Sequence, residues 1–243
     1  MTFQASNNSL NASGLVTLSE PKSAAAEAYR LLRTNVQFGD VAQPLRSLVV
    51  TSARPDEGKS SVIANLAVVF AQMDQRVILV DADLRRPTLH QFFGVPNEGG
   101  LSSYILKAGG FRDNLTPNGN GKSGYSGSNL PLIQTNVPNL RLMTAGQPPS
   151  NPAEILGSAT MRELIEGLKQ ESDIVLFDVP PVLSVTDASI LAPRVDGVIL
   201  VFRAGRTKRD DSQQAKAQLQ KVHAHILGAV LSDVKVRGKA VSY

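Results

Sequence analysis

The sequence predicts an α/β fold: an open, doubly wound, mostly parallel sheet with helices on both faces. Three observations carry that prediction. From Ser47 onward, apolar runs of strand length alternate with amphipathic runs of helix length, the rhythm of βαβ units. Several of the strand runs are unbroken Val, Ile and Leu, as expected where both faces of a strand are covered. The first junction, residues 49–60 (Val-Val-Thr-Ser-Ala-Arg-Pro-Asp-Glu-Gly-Lys-Ser), reads as strand, tight loop and helix.

Taken in order, residues 1–20 read as a flexible N-terminal tail, Asn- and Ser-rich and without the basic start and apolar core of a signal peptide. Residues 22–38 read as a helix with Ala24, Ala28, Leu31, Leu32 and Val36 on one side. Glu27, Arg30 and Arg33 form a stripe on the opposite side. On spacing alone a solvated charged face is the plainer account of that stripe, and a docking surface for another subunit is the functional one. Strands are expected at 47–52, 76–81, 139–144, 173–178, 197–203 and 226–231, and helices at 59–73, 159–171, 187–193 and 209–224. Residues 107–138 break the rhythm. They are dense in Gly, Asn, Ser and Pro and read as a mobile surface insertion carrying Tyr125. The chain thus divides into a tail (1–20), one domain (21–233, with the 107–138 insertion) and a C-terminal tail (234–243).

Composition narrows the chemistry. A length of 243 residues with 42% hydrophobic content supports one domain with a sizeable core. The absence of Cys excludes disulfides, a thiolate nucleophile and Cys-ligated metals. Of the three His, His223 and His225 are two apart and cannot share a helix face, so no His-based metal pattern is present. The net charge of +4 is spread without a polybasic block or base-stacking aromatics, so nucleic acid is not an expected partner. No apolar run approaches the roughly 18 residues of a membrane span, and a cytoplasmic location is expected.

The chemistry-bearing residues begin in the 49–60 junction, which has the layout of a P-loop. Backbone N–H groups at a helix N-terminus point at phosphates, and the helix dipole favours their charge. Arg54, Pro55, Asp56, Glu57, Gly58, Lys59, Ser60 and Ser61 are the expected phosphate cradle. Lys59 is expected to reach the β- and γ-phosphates and the Ser60 hydroxyl to sit on Mg²⁺. Ala53 stands where the first glycine of G-x-x-x-x-G-K-[ST] belongs, so the loop alone is only suggestive. Two acidic motifs follow, each after an apolar run: Asp81 and Asp83 after residues 77–80, and Asp178 after residues 174–177. Strand C-termini gather along one edge of a doubly wound sheet, so the three carboxylates are expected to converge on the loop. One Asp after a strand is more often a turn or cap. Three of them with Gly58-Lys59-Ser60 point to an ATP and Mg²⁺ site, a cation that prefers carboxylates, waters and phosphate oxygens.

In sequence order, five motifs stand together: Glu27-Ala28-Tyr29-Arg30-Leu31-Leu32-Arg33-Thr34-Asn35, Glu57-Gly58-Lys59-Ser60, Asp81-Ala82-Asp83-Leu84-Arg85, Asp178-Val179-Pro180-Pro181 and Ser184-Val185-Thr186-Asp187-Ala188. From about residue 20 to 233 the chain resembles the cytoplasmic catalytic domain of bacterial tyrosine kinases of the capsular or exopolysaccharide type. That resemblance implies a ParA/MinD-like P-loop domain and ATP-dependent phosphorylation of protein tyrosines, of the autokinase type. It implies a ring-shaped homo-oligomer with Glu27, Arg30 and Arg33 at the subunit contact. It implies a separate transmembrane activator of the polysaccharide co-polymerase type, which recruits the domain to the inner face of the plasma membrane. Lys59, Asp81, Asp83 and Asp178 are then the catalytic set: Ser60, Asp83 and Asp178 hold the metal and Asp81 takes the tyrosine proton, although spacing does not separate the roles of Asp81 and Asp83. Asp56 replaces a common glycine, a position Asp tolerates better than most residues. The tail holds only Tyr243 where the family has several tyrosines, leaving Tyr243 and Tyr125 as candidate phosphoacceptors. Two other functions compete. A ParA/MinD-type ATPase typically has a lysine early in the loop, where this chain has Arg54-Pro55. A nucleotide-responsive scaffold of a polysaccharide assembly machine is suggested by the tyrosine-poor tail.

Overall fold

The unbroken apolar runs become the centre of a seven-stranded sheet in the computed structural model, which describes residues 14–39, 45–108 and 130–234. The strands are β1 (Ser47–Ser52), β2 (Val77–Asp81), β3 (Ile133–Gln134), β4 (Leu140–Met143), β5 (Ile174–Asp178), β6 (Gly197–Arg203) and β7 (Ile226–Ser232). Their order is β3-β4-β2-β5-β1-β6-β7, parallel throughout except for β3 against β4. Every residue of β1, β2 and β5 is buried, because helices cover both faces there. One face packs under α1 (Val16–Ser19), α2 (Ala24–Phe38), α3 (Lys59–Ala71) and α4 (Leu89–Phe93). The other packs under α5 (Leu101–Ala108), α6 (Pro152–Gly157), α7 (Ala159–Glu171), α8 (Asp187–Leu191) and α9 (Arg209–Lys221). No helix among the described residues is long and apolar enough to cross a membrane.

The six expected strands and five expected helices are all present. The elements absent from the sequence reading are short: α1, α4, α6 and β3 span two to six residues and α5 eight, too few for periodicity to register. Three boundaries change. Residues 14–20 are not tail: Leu15 and Thr17 are buried, and Asn65 on α3 accepts from the Thr17 N–H (3.0 Å) and donates to the Gly14 carbonyl (2.8 Å). A fully buried amide needs such partners, and the N-terminal segment supplies them. The insertion of 107–138 is structured at its end, where Ile133 and Gln134 add an antiparallel edge to β4. Tyr125 and Tyr243 lie outside the described residues.

The third change concerns α2. Ala24, Ala28 and Leu31, read from the sequence as the apolar side, are exposed, whereas Ala26 and Val36 are buried against α3. Arg33 turns toward α3 and donates to the Val69 carbonyl at 3.1 Å. Val69 lies in the last turn of α3, whose carbonyls have no partner inside their own helix. The Arg33 stem covers apolar surface while its guanidinium caps that turn. Arg30 pairs with Glu27 and donates to the Pro21 carbonyl. The stripe is therefore engaged within its own subunit, with Glu27 its exposed member.

Candidate active site

The parallel register aligns three strand ends. Asp178 at the end of β5 lies beside Val50 of β1 on one side and Asp81 of β2 on the other. The turn after β5 is fastened to β1 by Thr51 Oγ1 donating to the Pro180 carbonyl (2.7 Å) and by Val182 N–H donating to the Ser52 carbonyl (2.9 Å). Loop and carboxylates are thus fixed to the same central strands, at the edge where doubly wound sheets bind ligands.

The loop from Ala53 to Gly58 is a set of backbone solutions. Gly58 caps α3 with φ 84°, a left-handed conformation that favours glycine. Asp56 also takes a positive φ, 61°, and is accommodated in place of the common glycine. Ala53 has no positive φ, and its methyl is buried in the core cluster, so this position has no need of glycine. The Glu57 side chain points inward. Its carboxylate is buried and accepts from the Arg54 N–H (2.9 Å) and from the Thr207 hydroxyl, while Ser232 Oγ donates to the Glu57 carbonyl (2.7 Å). Glu57 is a staple that holds the loop to β6 and β7. Glu57→Ala removes acceptors from a buried N–H and should raise the KM for ATP about tenfold with a smaller change in kcat, measured by initial rates. Arg54 is exposed and pairs with Asp211 at 2.9 Å, and Pro55 is exposed beside it. Ser61 gives its carbonyl to Asn65 Nδ2 and bonds Tyr29.

At the start of α3, Lys59 meets the acidic set. Its ammonium lies 2.8 Å from Asp83 Oδ2, 3.2 Å from Asp178 Oδ1 and 3.1 Å from Ser60 Oγ, and Ser60 donates to the other oxygen of Asp178. Asp81 Oδ2 accepts from the Thr88 and Leu89 N–H groups, each at 3.0 Å, and Oδ1 is buried without a partner. Asp83 Oδ1 accepts from the Arg86 N–H at 3.0 Å. The four predicted catalytic residues and Ser60 therefore converge.

Three carboxylates surround one ammonium here, an excess of negative charge that burial makes costly. Burial, with the Asp178 charge added, pushes the Asp81 carboxyl up to about 8, against the opposing Leu89 amide and Lys59. Burial likewise raises Asp178, against the pull of Lys59 and the Ser60 hydroxyl. For Lys59 burial opposes the charged form, but Asp178 and Asp83 outweigh it and hold the ammonium above its ordinary range. A divalent cation fits this set: hard oxygen donors and a surplus of negative charge around one ammonium. No group of three or more His, Cys, Asp or Glu side chains among the described residues is arranged to hold a metal alone. Mg²⁺ is ordinarily held by one or two carboxylates together with waters and substrate phosphates, which matches Ser60, Asp83 and Asp178 beside a phosphate cradle.

In front of the loop lies a cavity of about 540 Å³. Gly58 to Ser61 line it, with Asp83, Arg85, Arg86 and Phe92 and, from the turn after β5, Pro181 and Val185. Asp83 lines it, whereas Asp81 sits behind, fully buried. Sequence reasoning missed one further member of the site. Arg85 makes a bidentate pair with the buried Asp187 at 2.9 and 3.0 Å, tying the loop after β2 to α8. Both residues stand in recognisable motifs, but a pairing across 102 positions leaves no local signal.

Comparison with known proteins agrees with this geometry. The ParA family model, described as NUBPL iron-transfer P-loop NTPase, matches residues 45–235. Tyrosine-protein kinase YwqD of Bacillus subtilis (strain 168) is 39% identical over 91% of this chain and 86% of its own length. Tyrosine-protein kinase CpsD of Streptococcus agalactiae is 34% identical over 86% of this chain and 83% of its own. The solved kinase domain of Escherichia coli tyrosine kinase ETK superposes with a TM-score of 0.79 at 34% identity, covering 94% of this chain and 84% of that one. The chain belongs to the bacterial tyrosine-protein kinases, built on the ParA-type P-loop NTPase domain.

Proposed function

We propose that this chain is an ATP-dependent protein-tyrosine kinase that regulates capsular or exopolysaccharide synthesis and export. The observation that carries the reading is the buried knot of Lys59, Ser60, Asp83 and Asp178, which opens onto a cavity with room for an acceptor side chain beside the loop. Bound Mg²⁺-ATP supplies the transferable phosphoryl group and the metal charge that neutralises it. The residues do the rest by position. The backbone of the 54–60 loop, through the N–H groups of Asp56 to Ser60 at the α3 N-terminus, would hold the phosphate oxygens. Lys59, now paired with Asp83 and Asp178, would turn to the phosphate oxygens, and Ser60, Asp83 and Asp178 would hold the metal. Asp81, which lies behind the cavity wall, takes the proton from the tyrosine hydroxyl by way of one water; the ordinary pKa of that hydroxyl is near 10. The unpaired oxygen and raised pKa of Asp81 support the base role, since a general base works best with a pKa near the operating pH.

Asp83→Asn separates that role from metal binding. It should raise the Mg²⁺ concentration for half-maximal rate at least about tenfold, a shift that Asp81→Asn should not produce. The reverse pattern in a Mg²⁺ titration would exchange the two assignments.

The partners belong to the same proposal: a homo-oligomeric ring whose α2 contact includes Glu27, Arg30 and Arg33, and a separate transmembrane activator that brings a cytoplasmic domain to the membrane. Phosphotyrosine blotting of the chain with Mg²⁺-ATP and that activator tests the whole. A band on the chain or on an added tyrosine peptide is expected. Bound nucleotide with phosphate on neither would favour the scaffold instead.

A further inference from the structure

The cavity in front of the loop carries a charge that no other side chain among the described residues pairs. Five charged side chains line it: Asp56, Lys59, Asp83, Arg85 and Arg86. Lys59 is tied to Asp83 and Asp178, and Arg85 to Asp187. Asp56 lies on the phosphate loop itself. The Arg86 side chain is exposed and has no hydrogen bond or ion pair among the described residues, yet its backbone is anchored by the N–H bond to Asp83. An uncommitted guanidinium therefore stands on the cavity wall next to the carboxylate assigned to the metal. Phe92, Pro181 and Val185 give the same cavity apolar surface suited to an aromatic ring.

The sequence adds an independent observation. Residues 235–243 hold Lys235, Arg237 and Lys239 ahead of Tyr243 and contain no acidic residue. A basic segment placed beside Arg86 meets like charge, which penalises the wrong partner as effectively as attraction rewards the right one.

We infer that the acceptor is a tyrosine flanked by acidic residues on another protein, that Arg86 reads the acidic flank, and that Tyr243 in its basic setting is a poor acceptor. The inference rests on the kinase reading above and names the substrate class of the same cavity.

Two synthetic peptides of nine residues test it with the full chain, the transmembrane activator proposed above and Mg²⁺-ATP: one with the sequence of residues 235–243, and one with its three basic residues replaced by Glu. The ratio of kcat/KM values is expected to favour the acidic peptide about tenfold, the size of effect that one or two exposed ion pairs produce. Arg86→Lys should keep the preference, Arg86→Gln should flatten it and Arg86→Glu should reverse it. The Arg86 side chain has no hydrogen bond or ion pair to lose among the described residues, so these variants should fold as the parent does. Equal rates for both peptides, or a preference untouched by Arg86→Glu, would overturn the inference and leave the kinase reading standing. Phosphate on neither peptide, with ATP still bound, would sink both.

Discussion

Asp81→Asn is expected to lower the rate of phosphotyrosine formation by about 10²- to 10⁴-fold, the usual contribution of a positioned base, and yet to stabilise the nucleotide-free protein. The second effect follows from the buried charge. In the folded, ligand-free protein Asp81 keeps its proton up to about pH 8, whereas in the unfolded chain it releases it near its ordinary value of 3.8. Between those values the folded state binds the extra proton. The contribution of this carboxyl to stability is therefore complete below about pH 4 and is lost as pH rises toward 8. Asparagine still accepts the Thr88 and Leu89 N–H bonds but has no charge to bury. At pH 8 in EDTA the variant should gain about 1–2 kcal/mol, roughly 2–8 °C in Tm for a chain of this size. The gain should shrink toward zero at pH 4–5. Thermal melts across that range check it, and a variant less stable than the parent at pH 8 would contradict the account.

Lys59→Met should move stability the other way while also removing activity. Lys59 is held charged above its ordinary range, so its contribution is present throughout the neutral range and is lost only in strong alkali. Its removal leaves Asp83 and Asp178 facing each other with no cation between them. Breaking a buried ionic set by deleting one partner costs about 3–5 kcal/mol. The loss should be partly recovered at pH 5, where Asp178, raised by its burial, is more readily protonated, and by added Mg²⁺. Phosphorylation should fall at least about 100-fold, as when a donor to developing charge is deleted. Opposite stability changes in Asp81→Asn and Lys59→Met, with activity lost in both, would be hard to obtain from any arrangement except an excess of buried carboxylates around one lysine.

The core of the fold was legible because its strands are buried on both faces, so β1, β2 and β5 read as continuous apolar runs. The convergence of Asp81, Asp83 and Asp178 was legible for a related reason: each ends such a run, and parallel strands end together. The face of α2 was not legible. Ala24, Ala26 and Ala28 fall around the helix, so apolar spacing offers more than one arc, and the choice was made by α3, whose last turn needed the Arg33 guanidinium. The side-chain partners of Glu57 were not legible because a loop glutamate reveals nothing about the N–H and hydroxyl it must satisfy, and Thr207 lies 150 positions away. Ala53, a defect when compared with the glycine pattern, proves to occupy a position with ordinary backbone, where the core accepts a methyl. The bond from Asn65 to the N-terminal segment was hidden likewise, since a polar residue inside an apolar helix shows a need without showing its partner.

The most direct test follows the γ-phosphate. The full chain is incubated with its transmembrane activator, Mg²⁺, γ-labelled ATP and the acidic tyrosine peptide, and the label is partitioned between phosphotyrosine and free phosphate. The account predicts label on tyrosine, lost in both Lys59→Met and Asp81→Asn. Label recovered only as free phosphate, at a rate that still depends on Lys59, would contradict it and place the chain among nucleotide-hydrolysing relatives of the same fold.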